Sequence, residues 1–412
     1  MPKYLKLHYI LSLLVCAIPA ALVAGAAVLE CFVFLSCLFF FYLNWKKIGL
    51  NYYRNIFVLF FFLFYFFLVF SSVSSEYVFN SIRNSMFYFR FGILTLVIWY
   101  LLDSYKKFKF LFFISIAITL LVVIFYTFLQ LFVLHNQLDP NRISGLFGSE
   151  SIQGSFLLRI TPIFIMLYCY SREYLNRSFH YLFYLILFSV FILIIISGER
   201  SAIFLMFIAI FLGFIFFKTS LKKTFLYLLL ISLTFLLTIN FYPKSKERIF
   251  DTTYKQIFLT TAEAKKIYVF SEGHQHHFES AIIMFKQHYI KGVGVRNFRK
   301  ECEKDIYKKV GIYYCTTHPH NTYMQLLSET GLIGFSFIMF FLIFIFRKSY
   351  KFLIGVYTKK NKINIPLGLG FIIVLVNFFP FVTTGSFFNN WLSAMYFLPV
   401  GFLLHELNCK KN

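Results

Sequence analysis

The chain has 412 residues, 59% of them hydrophobic and only 14% charged, and 61 are phenylalanine. Soluble domains are apolar over roughly 45–50% of their residues, so this composition excludes a soluble enzyme and makes lipid the main solvent. A net charge of +23 raises nucleic acid as a partner, but the basic residues lie in the gaps between apolar runs, which argues against it.

In chain order, apolar stretches long enough to cross roughly 30 Å of hydrocarbon as helices are expected at 8–26, 28–44, 55–72, 86–102, 109–133, 154–170, 180–197, 201–217, 224–241, 323–346, 364–383 and 389–405. The fold class that follows is an all-α integral membrane protein of about twelve transmembrane helices. Three regions result: 1–240 with the first nine helices, 241–322 as one large external loop with short helices, and 323–412 with the last three. The first segment has weak polar flanks and runs straight into the second, so no cleavable leader is expected. Cys16, Cys31, Cys37 and Cys169 fall inside spans, where a cysteine behaves as a small hydrophobe.

Basic residues recur in alternate connections: Lys3 and Lys6; Lys46, Lys47 and Arg54; Lys106, Lys107 and Lys109; Arg172 and Arg177; Lys218, Lys222 and Lys223; the stretch from Arg347 to Lys362; Lys410 and Lys411. The intervening short connections hold only Arg83, Arg142 and Arg200. Because short loops rich in Lys and Arg stay inside, both termini are expected in the cytoplasm and the 241–322 loop outside.

That loop carries 14 Lys and Arg against 8 Asp and Glu between 241 and 321, net +6. Such a surface suits an anionic ligand such as a diphosphate, and it equally fits a solvated face beside anionic lipid headgroups. Within it, Ser280 to Gln287 reads as a short amphipathic helix with Ile282, Ile283 and Phe285 as its apolar side, stopped by the Gly292-Val293-Gly294 turn. A second helix is expected from Asn297 to Lys309, and the two together suit a lid lying on the membrane. Cys302 and Cys315 are the cysteines that share the loop, so a disulfide between them is expected in an oxidising compartment, with two free thiols as the alternative.

The titratable groups concentrate at the mouth of the tenth expected span, where His320-Asn321 is followed by Gln325, Glu329, Gly331 and Gly334. If the helix starts near Thr322, Gln325 and Glu329 follow one face inward, and the two glycines let another helix approach closely. A neutral imidazole at a helix N-terminus suits a general base; an interfacial histidine satisfied by water is the plain alternative. Arg200 stands in a short turn between two apolar helices, a costly cation unless it holds a ligand, snorkels to headgroups or pairs with Glu199. Guanidinium matches diphosphate oxygens through two parallel bonds. His274, His276, His277, His288 and His318 follow no zinc-site spacing, so no metal is expected. No cofactor is expected either, and neither a Gly-rich phosphate loop nor an Asp-x-Asp pair points to a nucleotide donor.

His320-Asn321 followed at this spacing by Gly331-x-x-Gly334 resembles the signature of the O-antigen ligase and polymerase superfamily of bacterial membrane glycan transferases. Ser197-Gly-Glu-Arg-Ser-Ala202, Lys291-Gly-Val-Gly-Val-Arg-Asn-Phe-Arg299 and Arg142-Ile-Ser-Gly-Leu-Phe147 resemble further stretches of that family. The resemblance implies an enzyme of the inner membrane whose site faces the periplasm. Its donor would be a glycan on undecaprenyl diphosphate, and its acceptor a sugar hydroxyl on lipid A core or on a second lipid-linked glycan. It implies His320 and Arg200 as catalytic residues. By position alone, Arg83, Arg90, Arg142 and Arg159 near the same outer leaflet, Arg296 and Arg299 in the exposed loop, and Asn321 and Gln325 beside His320 are the candidates for binding substrate. The competing functions are a polymerase joining lipid-linked repeats, a protein glycosyltransferase, and a flippase, which predicts polar broken helices at mid-membrane.

Overall fold

A computed structural model describes residues 3–46, 50–134, 142–259, 270–358 and 362–409. Among them the regular elements are all helical: α1 (Lys3–Cys16), α2 (Ile18–Ala24), α3 (Ala26–Trp45), α4 (Ile56–Val73), α5 (Val78–Ser85), α6 (Phe89–Ser104), α7 (Phe108–Leu129), α8 (Gln153–Ser171), α9 (Arg177–Ile196), α10 (Arg200–Phe216), α11 (Leu221–Phe241), α12 (Glu272–Gln287), α13 (Thr322–Tyr357), α14 (Ile365–Asn377) and α15 (Asn390–Asn408), with short helical turns between. Lipid offers no partner for backbone N–H and C=O groups, so an apolar run of this length satisfies them within its own helix. Asparagine starts many of these helices: the side chains of Asn55, Asn176, Asn321, Asn364 and Asn389 each accept a bond from an N–H of the first turn.

Nine candidate spans are long and apolar enough to cross a membrane among the described residues, which makes this a multi-pass membrane protein. The expected stretches at 201–217 and 364–383 form shorter apolar helices of 17 and 13 residues, and 389–405 forms a 19-residue helix with His405 in its last turn. The count of about twelve therefore resolves into nine long spans and these three shorter or more polar helices. In the second case the reason is visible. The helix stops at Asn377, and part of the irregular backbone that follows, Thr383 to Ser386 and Asn389, lines a cavity. Irregular backbone at such depth is tolerated where protein or a cavity surrounds it.

Helices apolar all round sit in the middle. α6 is buried from Arg90 to Leu102 and α15 from Leu392 to His405, and these two make the tightest pair in the fold. Gly401 makes the approach possible, since a Cβ there would stand 2.6 Å from the carbonyl oxygen of Thr95. α14 packs on α8, α10 and α15, whereas α11 buries only Thr238 and Ile239 and leaves most of its surface exposed. Contacts sort the connections into two ends. Tyr52 and His405 meet on Asp103, and Asn364 and Tyr170 meet on Glu406. At the opposite end Ser71 bonds Lys291, Asn80 bonds Asn297, and Arg200 bonds Thr253.

The 270–321 segment folds into a packed unit against α13. α12 is twice as long as the expected 280–287 helix and packs on α13; it buries Phe278, Ala281 and Met284 and leaves Ile282 exposed. Starting at Glu272 brings these three residues onto one face at a spacing of three, a face hidden when the helix is read only from Ser280. Met284 and Ala281 join Val293, Phe298, Cys302 and Tyr307 in a small core of their own. Cys302 and Cys315 are joined by a disulfide across it, Cα to Cα 5.1 Å. The expected helix at 297–309 is a turn at Phe298–Glu301 followed by a 3₁₀ turn at Asp305–Val310.

Candidate active site

The chain enters α13 through His318-Pro319-His320-Asn321. Asn321 caps the helix, accepting from the N–H of Tyr323 (2.9 Å) and Met324 (3.1 Å), and its amide donates to the carbonyls of Pro380 (2.8 Å) and Val382 (3.0 Å). Those four bonds use the amide's full capacity, and they pin the start of α13 to the irregular segment after α14. Just before the cap, His320 takes φ 52°, a conformation uncommon outside glycine. Its carbonyl accepts from the N–H of Thr384 at 2.8 Å. The turn so held directs the imidazole into a cavity of about 750 Å³.

Four arginines line that cavity: Arg142, Arg159, Arg200 and Arg248. Arg200, at the start of α10, is held by Thr253 Oγ1 (2.9 Å) and Gln256 Oε1 (2.8 Å), both on the segment after α11. Glu199 does not pair with it. Its carboxylate instead accepts from the N–H of Gly154 (2.5 Å) and Ser155 (3.1 Å) and from Ser155 Oγ (2.8 Å), completing the first turn of α8. Arg159 on α8 is buried and reaches the hydroxyl of Tyr396, which also meets Thr322 at 2.8 Å. Among the described residues Glu150 and Glu199 are the carboxylates in the lining, so cations exceed anions among them by two with the histidines neutral.

Histidines gather around His320. Its ring centroid is 4.1 Å from that of His318, 5.2 Å from His274 and 5.3 Å from His277. Burial first, and then the neighbouring His320, push His318 down to about 3 and His274 and His277 to about 4. Burial also holds His320 below the usual histidine range. All four are neutral near pH 7, so His320 can accept a proton. Among the described residues no cluster of His, Cys, Asp and Glu is arranged to hold a metal ion.

The structure brings His320, Arg200, Arg142 and Arg159 together, and adds Arg248 and His274, for which the sequence carries only the loop's general basic character. It does not bring in the others. Arg83, Arg90, Arg296 and Arg299 line a separate cavity of about 810 Å³. Asn321 and Gln325 lie outside the lining of either cavity, their side chains bonded to other parts of the chain. Gln325 donates to Glu329 (3.0 Å) and Ser386 (2.9 Å) and accepts from the N–H of Phe387 (2.7 Å), which makes both residues supports of the site and not its lining.

Gly331 is corrected too. It interrupts α13 at φ 61°, and what approaches it is loop backbone, not a helix. Across the gap Val293 and Gly294 donate to the carbonyls of Ser328 (3.0 Å) and Glu329 (2.9 Å), while Leu332 donates to Tyr289 (2.8 Å). Gly292 is needed from the other side, since a Cβ there would stand 2.3 Å from the backbone carbon of Glu329. The two glycine motifs of the sequence are thus the two halves of one joint. Gly334 does admit a helix, with Phe67 of α4 3.0 Å from its Cβ position.

Residues 184–339 match the family model described as O-antigen ligase. The matched stretch holds Arg200, Arg248, the four histidines, and both halves of the glycine joint. No curated protein matches the chain.

Proposed function

We propose that this chain, with its O-antigen ligase domain over residues 184–339, transfers a glycan from an undecaprenyl diphosphate carrier to a sugar hydroxyl of a lipid-borne acceptor, in the manner of an O-antigen ligase. The observation that carries the reading is one cavity in which a neutral histidine faces four arginines. His320 takes the acceptor's hydroxyl proton as that oxygen attacks the anomeric carbon. The bond from that carbon to the diphosphate breaks, and Arg142, Arg159, Arg200 and Arg248 receive the charge that develops on the leaving oxygens. Guanidinium keeps its charge at any working pH and pairs with phosphate oxygens through two bonds, so these groups supply the electrostatic work of the step. The basic connections support a topology with both termini in the cytoplasm and this cavity at the outer face.

The acceptor is the lipid A core or, in the polymerase variant, a second lipid-linked repeat. Transfer is favoured over passage of the lipid through the protein because the break in α13 at Gly331 is filled by loop backbone, and the histidine and the four arginines gather in one cavity. Purified protein in vesicles, given lipid-linked glycan and a phosphorylated glycolipid acceptor, should form the joined product without added nucleotide. If the glycan lipid crosses the vesicle membrane and no joined product forms, the reading fails and a flippase replaces it.

A further inference from the structure

The second cavity, about 810 Å³, is walled by Arg83 of α5, Arg90 of α6, and Arg296 and Arg299 of the loop. Among the described residues Glu30 is the single carboxylate in the lining, so their charges sum to +3. Glu30 is already engaged, 2.9 Å from Arg90 Nη2, and Arg90 also donates to Asn390 Oδ1 at 2.9 Å. Arg296 is held by Asn84 Oδ1 at 2.9 Å. The side chains of Arg83 and Arg299 make no hydrogen bond or ion pair to another described residue. Like charges gathered in this way repel, and an anion between them relieves the cost.

The cavity is also open to the apolar surround. Cys31, Phe34 and Phe87 complete the wall, with Phe34 and Phe87 exposed by 45% and 49%. Phe34, Leu38 and Phe41 continue along α3 as one exposed stripe at helical spacing. The cationic wall therefore sits at the head of an apolar track, the arrangement that fits a phosphorylated lipid better than a soluble anion.

Two links join this cavity to the first. Consecutive residues at the start of α15, Asn389 and Asn390, line one cavity each. The loop that carries Arg296 and Arg299 is fastened to α13, the helix that His320 leads into.

We propose that this cavity is a second anion site, which seats the phosphorylated headgroup of the acceptor lipid while its chain lies along the Phe34–Phe41 stripe, so that the acceptor's sugars reach His320 past the first turn of α15. The proposal rests on the first cavity being the donor site.

Native mass spectrometry of the full chain in neutral detergent tests it, with farnesyl diphosphate, inorganic diphosphate and phosphatidylglycerol as probes. The wild type should take two farnesyl diphosphates. Arg83→Ala/Arg299→Ala should take one, and Arg200→Ala should also take one. The first pair is chosen because neither side chain supports the fold, and Arg83→Lys/Arg299→Lys should restore part of the binding. Two bound molecules in the Arg83→Ala/Arg299→Ala variant would overturn the site. Equal uptake of phosphatidylglycerol would make it a general lipid surface, and equal affinity for inorganic diphosphate would remove the lipid from its ligand; either result overturns the proposal. In the transfer assay the same variant should raise the acceptor KM by roughly tenfold for each charged hydrogen bond lost, with the donor KM unchanged; a rise in the donor KM alone would overturn it. A wild type that binds two molecules yet transfers nothing would fail the catalytic reading and leave the second site standing.

Discussion

The backbone N–H of Arg296 donates to Oε2 of Glu329 at 2.9 Å, and that of Phe298 to Oε1 at 3.2 Å. One fully buried carboxylate on α13 thus shapes the loop that carries the arginines of the second cavity.

Glu329→Ala should leave both N–H groups unpaired, at about 1–3 kcal/mol for each buried donor. The 288–300 segment should then become sensitive to protease. Gly331→Ala should destabilise as well, because alanine would have to adopt φ 61° with its Cβ 2.4 Å from the carbonyl oxygen of Ile290. Gly213→Ala is the comparison, with its nearest neighbour 3.9 Å away. Thermal unfolding in detergent reads the difference. Equal midpoints for the two alanine variants would refute the joint described at Gly331.

His320→Ala should lower transfer by about 10² to 10⁴ at normal abundance, the usual cost of losing a general base. Arg200→Ala should cost about 10² to 10³, as for a group aimed at developing charge. Arg200→Lys keeps the charge and loses the fork that Thr253 and Gln256 hold in place, so most activity should still go. His318 is no neutral bystander: with its ring 4.1 Å from that of His320, His318→Ala should slow transfer too, by less than His320→Ala. Transfer in membranes, normalised to protein level, decides. Wild-type rates for His320→Ala would end its assignment as the base.

The pH profile follows from burial. Catalysis needs neutral His320, and burial lowers its pKa from the ordinary 6.5. Activity should stay level as pH falls to about 6.5 and drop only below it, since protonation sets in late for a depressed histidine. Stability should move the same way. Unfolded His274, His277 and His318 protonate near 6.5 while the folded forms wait until about 4, 4 and 3, so folding free energy is lost as pH falls through that window. An acid limb of kcat/KM centred above 7 would contradict the buried-base reading.

Cys302 and Cys315 should be recovered as a disulfide-linked peptide pair from unreduced membranes. The bridge closes a separation of 13 residues, worth roughly 3 kcal/mol in the chain-entropy account. Reduction should lower the unfolding midpoint and loosen the small core around Phe298 and Tyr307. Two alkylated free thiols in fresh membranes would refute the native pairing.

Much of this site was legible in the sequence because its signals are local. Runs of Phe, Leu and Ile mark helices whatever surrounds them, and Asn321 before Thr322 marks a helix start because a side-chain oxygen there can meet the first free N–H groups. His320 and Arg200 stood out because polar groups at the ends of apolar helices are costly and few. Asn321 and Gln325 were harder to assign, since a side chain that binds ligand and one that braces the backbone look alike until its partners are seen.

The sequence by itself determined a polytopic helical membrane protein with its basic loop before α13, since hydropathy and charge depend only on neighbours along the chain. Tertiary structure alone decided how the arginines divide. Arg142, Arg159, Arg200 and Arg248 surround His320, while Arg83, Arg90, Arg296 and Arg299 form a second cavity. Which connections meet at one end of a bundle is settled by how the helices pack, and here by Gly401 against Thr95 and by the loop backbone seated between Gly292 and Gly331. The first of those contacts joins residues about three hundred positions apart and the second residues about forty apart, both beyond the reach of a local pattern.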